Sequence, residues 1–303
     1  MKIKLVIVLM VFLFSCYKSE VIEVDVVLDM SAWSPNIGVH NFSLSQQIAY
    51  LKPLVRSGNL ECVRVGWLGD SSELATWLHS QGIEVLGLFE NEFLRDSNVV
   101  EIFHAQVQRY PYIKYWEIGN EVEHFIGMSA QEYMAIFDKI YKASRDWGIT
   151  LLSQAPFGNI DGAEFFKAMM NNGLDKYTDI IVAIHYYGYA SEAIHRFSTQ
   201  VHRLPFSVDV WVTETGIKDQ SRHIGYVNEI YPDIRNVLRA KKIFWYVFSE
   251  CSEHSLVSGL SSGCSGFKIT SPLYNFLVDS ATDIKNNTGS KIFGTRARKG
   301  GGE

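Results

Sequence analysis

The chain alternates short apolar runs with longer stretches whose apolar positions recur every three or four residues. The short runs are Ile37–His40, Cys62–Val65, Val85–Leu88, Tyr115–Ile118, Thr150–Ser153, Ile180–Ile184, Val210–Thr213 and Ile243–Val247. Continuous apolar runs of this length read as strands buried on both faces, as in parallel sheets. Their centres fall 22 to 35 residues apart, room for one strand, one helix and two turns. Between them, Leu44 to Ser57 sets Ile48, Leu51, Leu54 and Val55 on one helical face. Ser71 to Ser80 does so with Leu74, Ala75, Trp77 and Leu78, and Ser129 to Trp147 with Tyr133, Met134, Phe137, Ile140 and Tyr141. Ser129, with Glu132 three residues on, predicts a capping box. Eight strand–helix units predict an α/β fold, a (β/α)8 TIM barrel forming one domain over residues 37–280. An open doubly wound sheet is the rival. It usually carries a Gly-rich phosphate turn after its first strand, and no GxGxxG or Walker sequence occurs.

The ends of the chain read differently. Lys2 and Lys4 precede an unbroken apolar run, Leu5 to Phe14, which is shorter than the roughly 17–25 residues that span a bilayer. Leu13-Phe14-Ser15-Cys16 resembles a lipobox, with Phe14 bulkier than usual there. Residues 1–16 are therefore expected to be a signal peptide and Cys16 a lipidated first residue, giving an exported envelope lipoprotein; ordinary signal-peptidase cleavage and secretion is the alternative. Residues 17–36 are expected to be a linker with one strand-like run, Val21 to Leu28, and 281–303 a tail. Of the remaining cysteines, Cys251 and Cys264 bracket a Ser/Gly-rich stretch and are a candidate disulfide, while Cys62 reads as a buried free thiol.

Composition changes this picture little. The chain of 303 residues is 47% hydrophobic with a formal net charge of −5. That balance gives no basic field to attract a phosphate backbone, and the short patch Arg296 to Lys299 reads as a tail. A monomer is expected, with no nucleic-acid partner and no cofactor or metal.

In a barrel, function lies at the C-terminal ends of the strands. Those ends read Arg64-Val65-Gly66-Trp67, Glu90-Asn91-Glu92, Glu117-Ile118-Gly119-Asn120-Glu121, His185-Tyr186-Tyr187, Thr213-Glu214-Thr215-Gly216 and Tyr246-Val247-Phe248-Ser249-Glu250. Carboxylates ending strands four and seven face each other across the mouth. Such a pair suits glycoside hydrolysis, one group protonating the leaving oxygen and the other attacking the anomeric carbon or activating water.

At this point the sequence resembles the clan A retaining glycoside hydrolases. The marks are Trp116-Glu117-Ile118-Gly119-Asn120-Glu121 and Trp211-Val212-Thr213-Glu214-Thr215-Gly216, their glutamates 93 residues apart. The resemblance implies Glu121 as acid/base and Glu214 as nucleophile. It implies that Arg64 holds the nucleophile ionised and that Asn120 contacts the sugar 2-hydroxyl. His185 and Tyr187 match a His-x-Tyr of strand six whose tyrosine reaches the nucleophile. The strand-eight sugar platform falls at Tyr246, where the family often has Trp, so Trp245 and Phe248 also compete. The implied function is retaining hydrolysis of a β-linked polysaccharide or oligosaccharide, its carbohydrate partner.

Blander readings stand beside each of these. On these, Arg64 simply neutralises Glu117, and His185 is a satisfied core histidine. Asn91-Glu92 is a second Asn-Glu pair that competes for the acid/base role, and Trp67 is either a subsite platform or a lid. Two other functions remain: a catalytically inactive barrel serving as a surface carbohydrate-binding lipoprotein, and a metal-dependent hydrolase. The intact set Arg64, Asn120, Glu121 and Glu214 argues against the first. The lone His40 on strand one argues against the second, which would want clustered ligands; His40 is expected to touch substrate.

Overall fold

The computed structural model describes residues 28–32, 43–189, 191–247, 256–259 and 267–286. Eight strands close a parallel barrel in chain order: β1 (Leu28–Ala32), β2 (Leu60–Val65), β3 (Glu84–Phe89), β4 (Tyr115–Ile118), β5 (Thr150–Leu152), β6 (Ile181–Tyr187), β7 (Asp209–Gly216) and β8 (Ala240–Trp245). Pairing of Asp29 with Phe244 and of Met30 with Trp245 seals β1 to β8. Helices follow the strands, as the apolar periodicity predicts: α1 (Leu44–Ser57), α2 (Leu68–Ser80), α3 (Asn91–Leu94), α4 (Val99–Arg109), α5 (Val122–Phe125), α6 (Ala130–Ser144), α7 (Ile160–Asn171), α8 (Ser191–Val201), α9 (His223–Val237) and α10 (Pro272–Asn286).

The seven later strands lie where the pattern places them. The first does not: the barrel begins at Leu28–Ala32 rather than Ile37–His40, so its start falls inside the expected linker. Asp29 interrupts that strand's apolar run, and a charge there reads as linker. Barrel closure supplies its partner, Lys242 of β8, with Nζ 3.7 Å from Oδ1. Ile37–His40, the signal segment with Cys16, the Cys251–Cys264 pair and Phe248 lie outside the described residues. At the other end, α10 runs through residue 281, past the expected start of the tail. Tyr274 on α10 donates its hydroxyl to the Tyr50 carbonyl at 2.8 Å.

Alternation along the strands divides the core in two. Outward residues such as Val63, Val65, Trp116, Ile118, Val182, Ile184, Val210 and Val212 pack under the helices. Inward residues Cys62, Leu86, Leu152, Ala183, Trp211 and Phe244 fill the barrel itself, with Cys62 a buried free thiol. Ser129 caps α6, accepting from the Glu132 N–H at 3.2 Å; the Glu132 carboxylate pairs with Arg95 at 2.9 Å. The reciprocated capping box is at Ser43 and Gln46, ahead of α1.

Candidate active site

Two local departures from regular structure bring the carboxylates together. On β7, Ile184 pairs with Val212 but the next residue, His185, pairs with Glu214. Thr213 is thus the extra residue of a bulge, which resets the strand's alternation. Thr213 and Glu214 both turn inward: Thr213 Oγ1 donates to Glu117 at 3.2 Å, and Glu214 meets Arg64. Thr215 turns outward to the Tyr226 hydroxyl at 2.7 Å.

After β4 the chain turns twice through left-handed backbone. Gly119 has φ +86, and a Cβ there would come within 2.9 Å of both Leu94 Cδ1 and Val122 Cγ1, so only glycine fits. Glu121 has φ +44, a costly conformation for a side-chain-bearing residue. Three hydrogen bonds hold it: Asn120 N–H to Asn91 Oδ1 at 2.8 Å, Asn91 Nδ2 to the Asn120 carbonyl at 2.6 Å, and Glu121 N–H to the Ala155 carbonyl at 3.0 Å. Asn91, singled out in the sequence as half of a rival catalytic pair, braces the backbone of Asn120.

The guanidinium of Arg64 organises what these turns deliver. Nε donates to Glu117 Oε2 at 2.5 Å, Nη1 to Glu214 Oε1 at 2.6 Å and Nη2 to Asn120 Oδ1 at 2.6 Å. The two sequence readings of Arg64 are both realised, since it neutralises Glu117 and grips Glu214. Tyr187 donates its hydroxyl to Glu214 Oε2. His185 Nδ1 lies 2.7 Å from Glu121 Oε1, and its Nε2 lies 3.6 Å from Glu214 Oε1. His185 is wholly buried beneath both carboxylates. One ligand atom each from Glu121, His185 and Glu214 fall within 4.8 Å of one another. That spacing also suits a metal, yet hydrogen bonds already engage these carboxylates.

Electrostatics differentiate the pair. Burial lifts the Glu121 carboxyl to about 7 against the opposing pull of Arg64. Burial raises Glu214 too, but Arg64 and the Tyr187 hydroxyl both stabilise its charged form. Burial drops His185 to about 4, so its ring is neutral at neutral pH. Arg64 stays charged, held by Glu117 and Glu214 against its own burial.

Above this cluster opens a cleft of about 1030 Å³. Asn120, Glu121, Tyr187, Glu214 and Tyr246 line it, so all seven sequence-selected residues converge, five at the surface and Arg64 and His185 beneath. Trp245 points outward against His223 and Tyr226 and is no platform. Trp67 lines the cleft and donates its backbone N–H to Glu90 at 2.5 Å. Burial pushes Glu90 up to about 7. Glu92 lines the cleft as well. The sequence offers Glu121 to Met128 as a sugar-selecting loop, and its Phe125 and Ile126 do line the cleft; Phe157 beside them was not foreseen.

A closed parallel barrel with paired buried carboxylates at its mouth is a scaffold that can support glycoside hydrolysis. A family model described as glycosyl hydrolase catalytic core matches residues 121–271. The chain resembles the (β/α)8-barrel glycoside hydrolases of clan A, and the catalytic-core match supports a glycosidase. No curated protein matches the sequence. Among solved structures, it is similar in fold to a GH128 subgroup II endo-β-1,3-glucanase from Pseudomonas viridiflava, at TM-score 0.56 and 14% identity, covering 84% of this chain and 97% of that one. A GH128 subgroup VI exo-β-1,3-glucanase from Aureobasidium namibiae gives 0.52 and 14%, covering 80% and 94%. A GH2 β-galacturonidase from Eisenbergiella tayi gives 0.56 and 12%, covering 85% and 51%.

Proposed function

We propose that the enzyme hydrolyses β-glycosidic bonds with retention, Glu214 acting as nucleophile and Glu121 as acid/base. The supporting observation is the separation: an oxygen of each carboxyl lies within 4.8 Å of the other. Retaining pairs stand about 5–5.5 Å apart, whereas inverting pairs need roughly 6.5–9.5 Å to admit a water. Two carboxylates this close resist ionising together, so the pair shares one proton. Arg64 and Tyr187 leave Glu214 as the anion and Glu121 as the acid. Neutral His185 then accepts the Glu121 proton's hydrogen bond at Nδ1 and turns its Nε2–H toward Glu214.

In the first step Glu214 attacks the anomeric carbon, the C–O bond breaks, and the Glu121 proton goes to the leaving oxygen. Neutralising Glu214 lets Glu121 act as base, taking a proton from the water that releases the sugar. Asn120, fixed by Arg64 and Asn91, presents an amide to the 2-hydroxyl, and Tyr246 forms the floor under the glycone. We propose also that the mature protein is anchored through Cys16. Globomycin, or Cys16→Ala, should block its maturation, and a mature N-terminus beyond Cys16 would mean simple secretion.

The test of mechanism is azide rescue. A panel of β-glucans, xylan, mannan and galactan identifies the substrate, β-1,3-glucan first because it is what the GH128 neighbours cleave. Glu214→Ala should abolish turnover, and azide should then give an α-glycosyl azide from an aryl β-glycoside. Glu121→Ala should lose about 10²–10⁴-fold on poor leaving groups and give a β-glycosyl azide on good ones. Swapped anomers would reverse the roles. A panel that is bound but never cleaved would favour the carbohydrate-binding alternative.

A further inference from the structure

One wall of the cleft has no part in the chemistry above. Phe125 is 61% exposed, unusual for a phenylalanine, and it lines the cleft four residues after Glu121. It belongs to a preset ring cluster. His124 stacks flat on Phe157, centroids 4.6 Å apart and planes 10° apart, and Phe125 meets His124 edge-on at 5.0 Å. Ile126 extends the apolar surface.

The cluster is tied to the acid/base residue at both ends. Glu121 is the N-cap of α5, which carries His124 and Phe125, and the His124 and Phe125 N–H groups both donate to the Glu121 carbonyl at 2.9 Å. Glu123, from the same turn, crosses to the loop after β5: its carboxylate accepts from the Phe157 N–H at 2.6 Å and from Gln154 Nε2 at 3.4 Å. Wall and acid are therefore joined through one backbone turn and one carboxylate.

Chemistry says which part of a substrate meets this wall. An acid must stand beside the glycosidic oxygen it protonates, so surface continuous with Glu121 lies on the leaving-group side of the scissile bond. Tyr187 and Tyr246, by contrast, pack edge-on at 5.9 Å beside Glu214, on the glycone side. An exposed apolar patch inside a cleft marks a binding surface, and a pyranose ring offers a matching apolar face of C–H groups.

We infer that Phe125, backed by His124, Phe157 and Ile126, is a binding platform for the leaving sugar, and that the enzyme selects substrates carrying a pyranose ring there. Glu123 is a positioning residue that holds Phe157 in that platform. This rests on the reading of Glu121 as the acid. A leaving sugar bound there is also an acceptor site once the glycosyl-enzyme has formed.

The experiment compares two substrates sharing one glycone: the oligosaccharide of the panel that is cleaved fastest, and the corresponding glycosyl fluoride, whose leaving group has no ring. In Phe125→Ala the ratio of kcat/KM on the oligosaccharide to that on the fluoride should fall about tenfold, and Phe125→Trp should restore it. Phe125→Tyr, measured with a thermal melt, guards against a folding defect. An unchanged ratio in a folded Phe125→Ala overturns the platform. Failure of the underlying reading looks different: Glu121→Ala would then show no dependence on leaving-group ability, whatever Phe125 does.

Discussion

The two ends of this barrel both bury a cation between carboxylates, and they do it in opposite ways. At the floor, Lys242 lies 3.1 Å from Glu84 and 3.7 Å from Asp29, with its ammonium 5.3 Å over the Trp211 ring. Its side chain keeps 22% exposure, and its contacts are loose. At the mouth, Arg64 keeps 1% and spends three N–H groups on three partners at 2.5–2.6 Å. An ammonium is a point charge on a flexible stem, enough to balance acidic side chains. A guanidinium is a planar fork that fixes directions as well as charge. The floor neutralises, whereas the mouth also aims.

The sharpest way to break that contrast is Arg64→Lys. Charge survives and the fork is lost, so kcat/KM should fall about 10²–10³-fold, as when a preorganised donor is removed from an active site. Activity within threefold of wild type would mean that charge alone suffices at the mouth. Next comes pH. Burial pushes Glu121 up to about 7, and the proposed mechanism needs its proton for poor leaving groups. On such substrates kcat/KM should drop roughly tenfold per pH unit above about 7, and the limb should vanish in Glu121→Ala on an activated aryl glycoside. A basic limb that persists in that variant would assign it elsewhere.

The mildest effect belongs to the floor. Lys242→Met should leave kcat unchanged and cost stability on the order of 1–3 kcal/mol, read by denaturant melts. Burial pushes Asp29 up to about 7, so its folded form holds a proton that the unfolded chain releases near the usual carboxylate range. The stabilisation from that proton is complete below the unfolded value and lost as pH rises toward 7. The lysine's attraction matters once Asp29 ionises, so the deficit of Lys242→Met should be larger at pH 8 than at pH 6. An equal deficit at both would uncouple Lys242 from Asp29.

Strands two to eight were legible because each is a buried apolar run whose meaning is local. The first was not, because Asp29 makes sense only beside Lys242, a neighbour supplied by closure. The carboxylate pair Glu121 and Glu214 was legible from the polar residues that end strands four and seven. Their orientation was not: strict alternation from Trp211 would send Glu214 outward, and from Glu117 would leave Asn120 and Glu121 on opposite sides. The Thr213 bulge and the left-handed turns at Gly119 and Glu121 reverse both outcomes. Asn91 was visible as half of a rival pair, but its bracing of Asn120 was not, since its partner is backbone and carries no sequence signature. The Phe125 wall depends on a single-turn helix too short to show periodicity.

The Thr213 bulge also decides what a lost codon would cost. An in-frame deletion of residue 213 would place Glu214 directly after the outward Val212, so the carboxylate would keep its inward place opposite His185 and Thr215 its outward one against Tyr226. The ladder to β6 would run without a break, while the irregularity at Val210 and Trp211 on the β8 side would remain. What would go is the Thr213 hydroxyl on Glu117, leaving that buried carboxylate to Arg64 and the Ala155 N–H. The extra residue is thus a donor threaded beneath the carboxylate pair, and a descendant that shed it would keep the pair and hold its foundation less firmly.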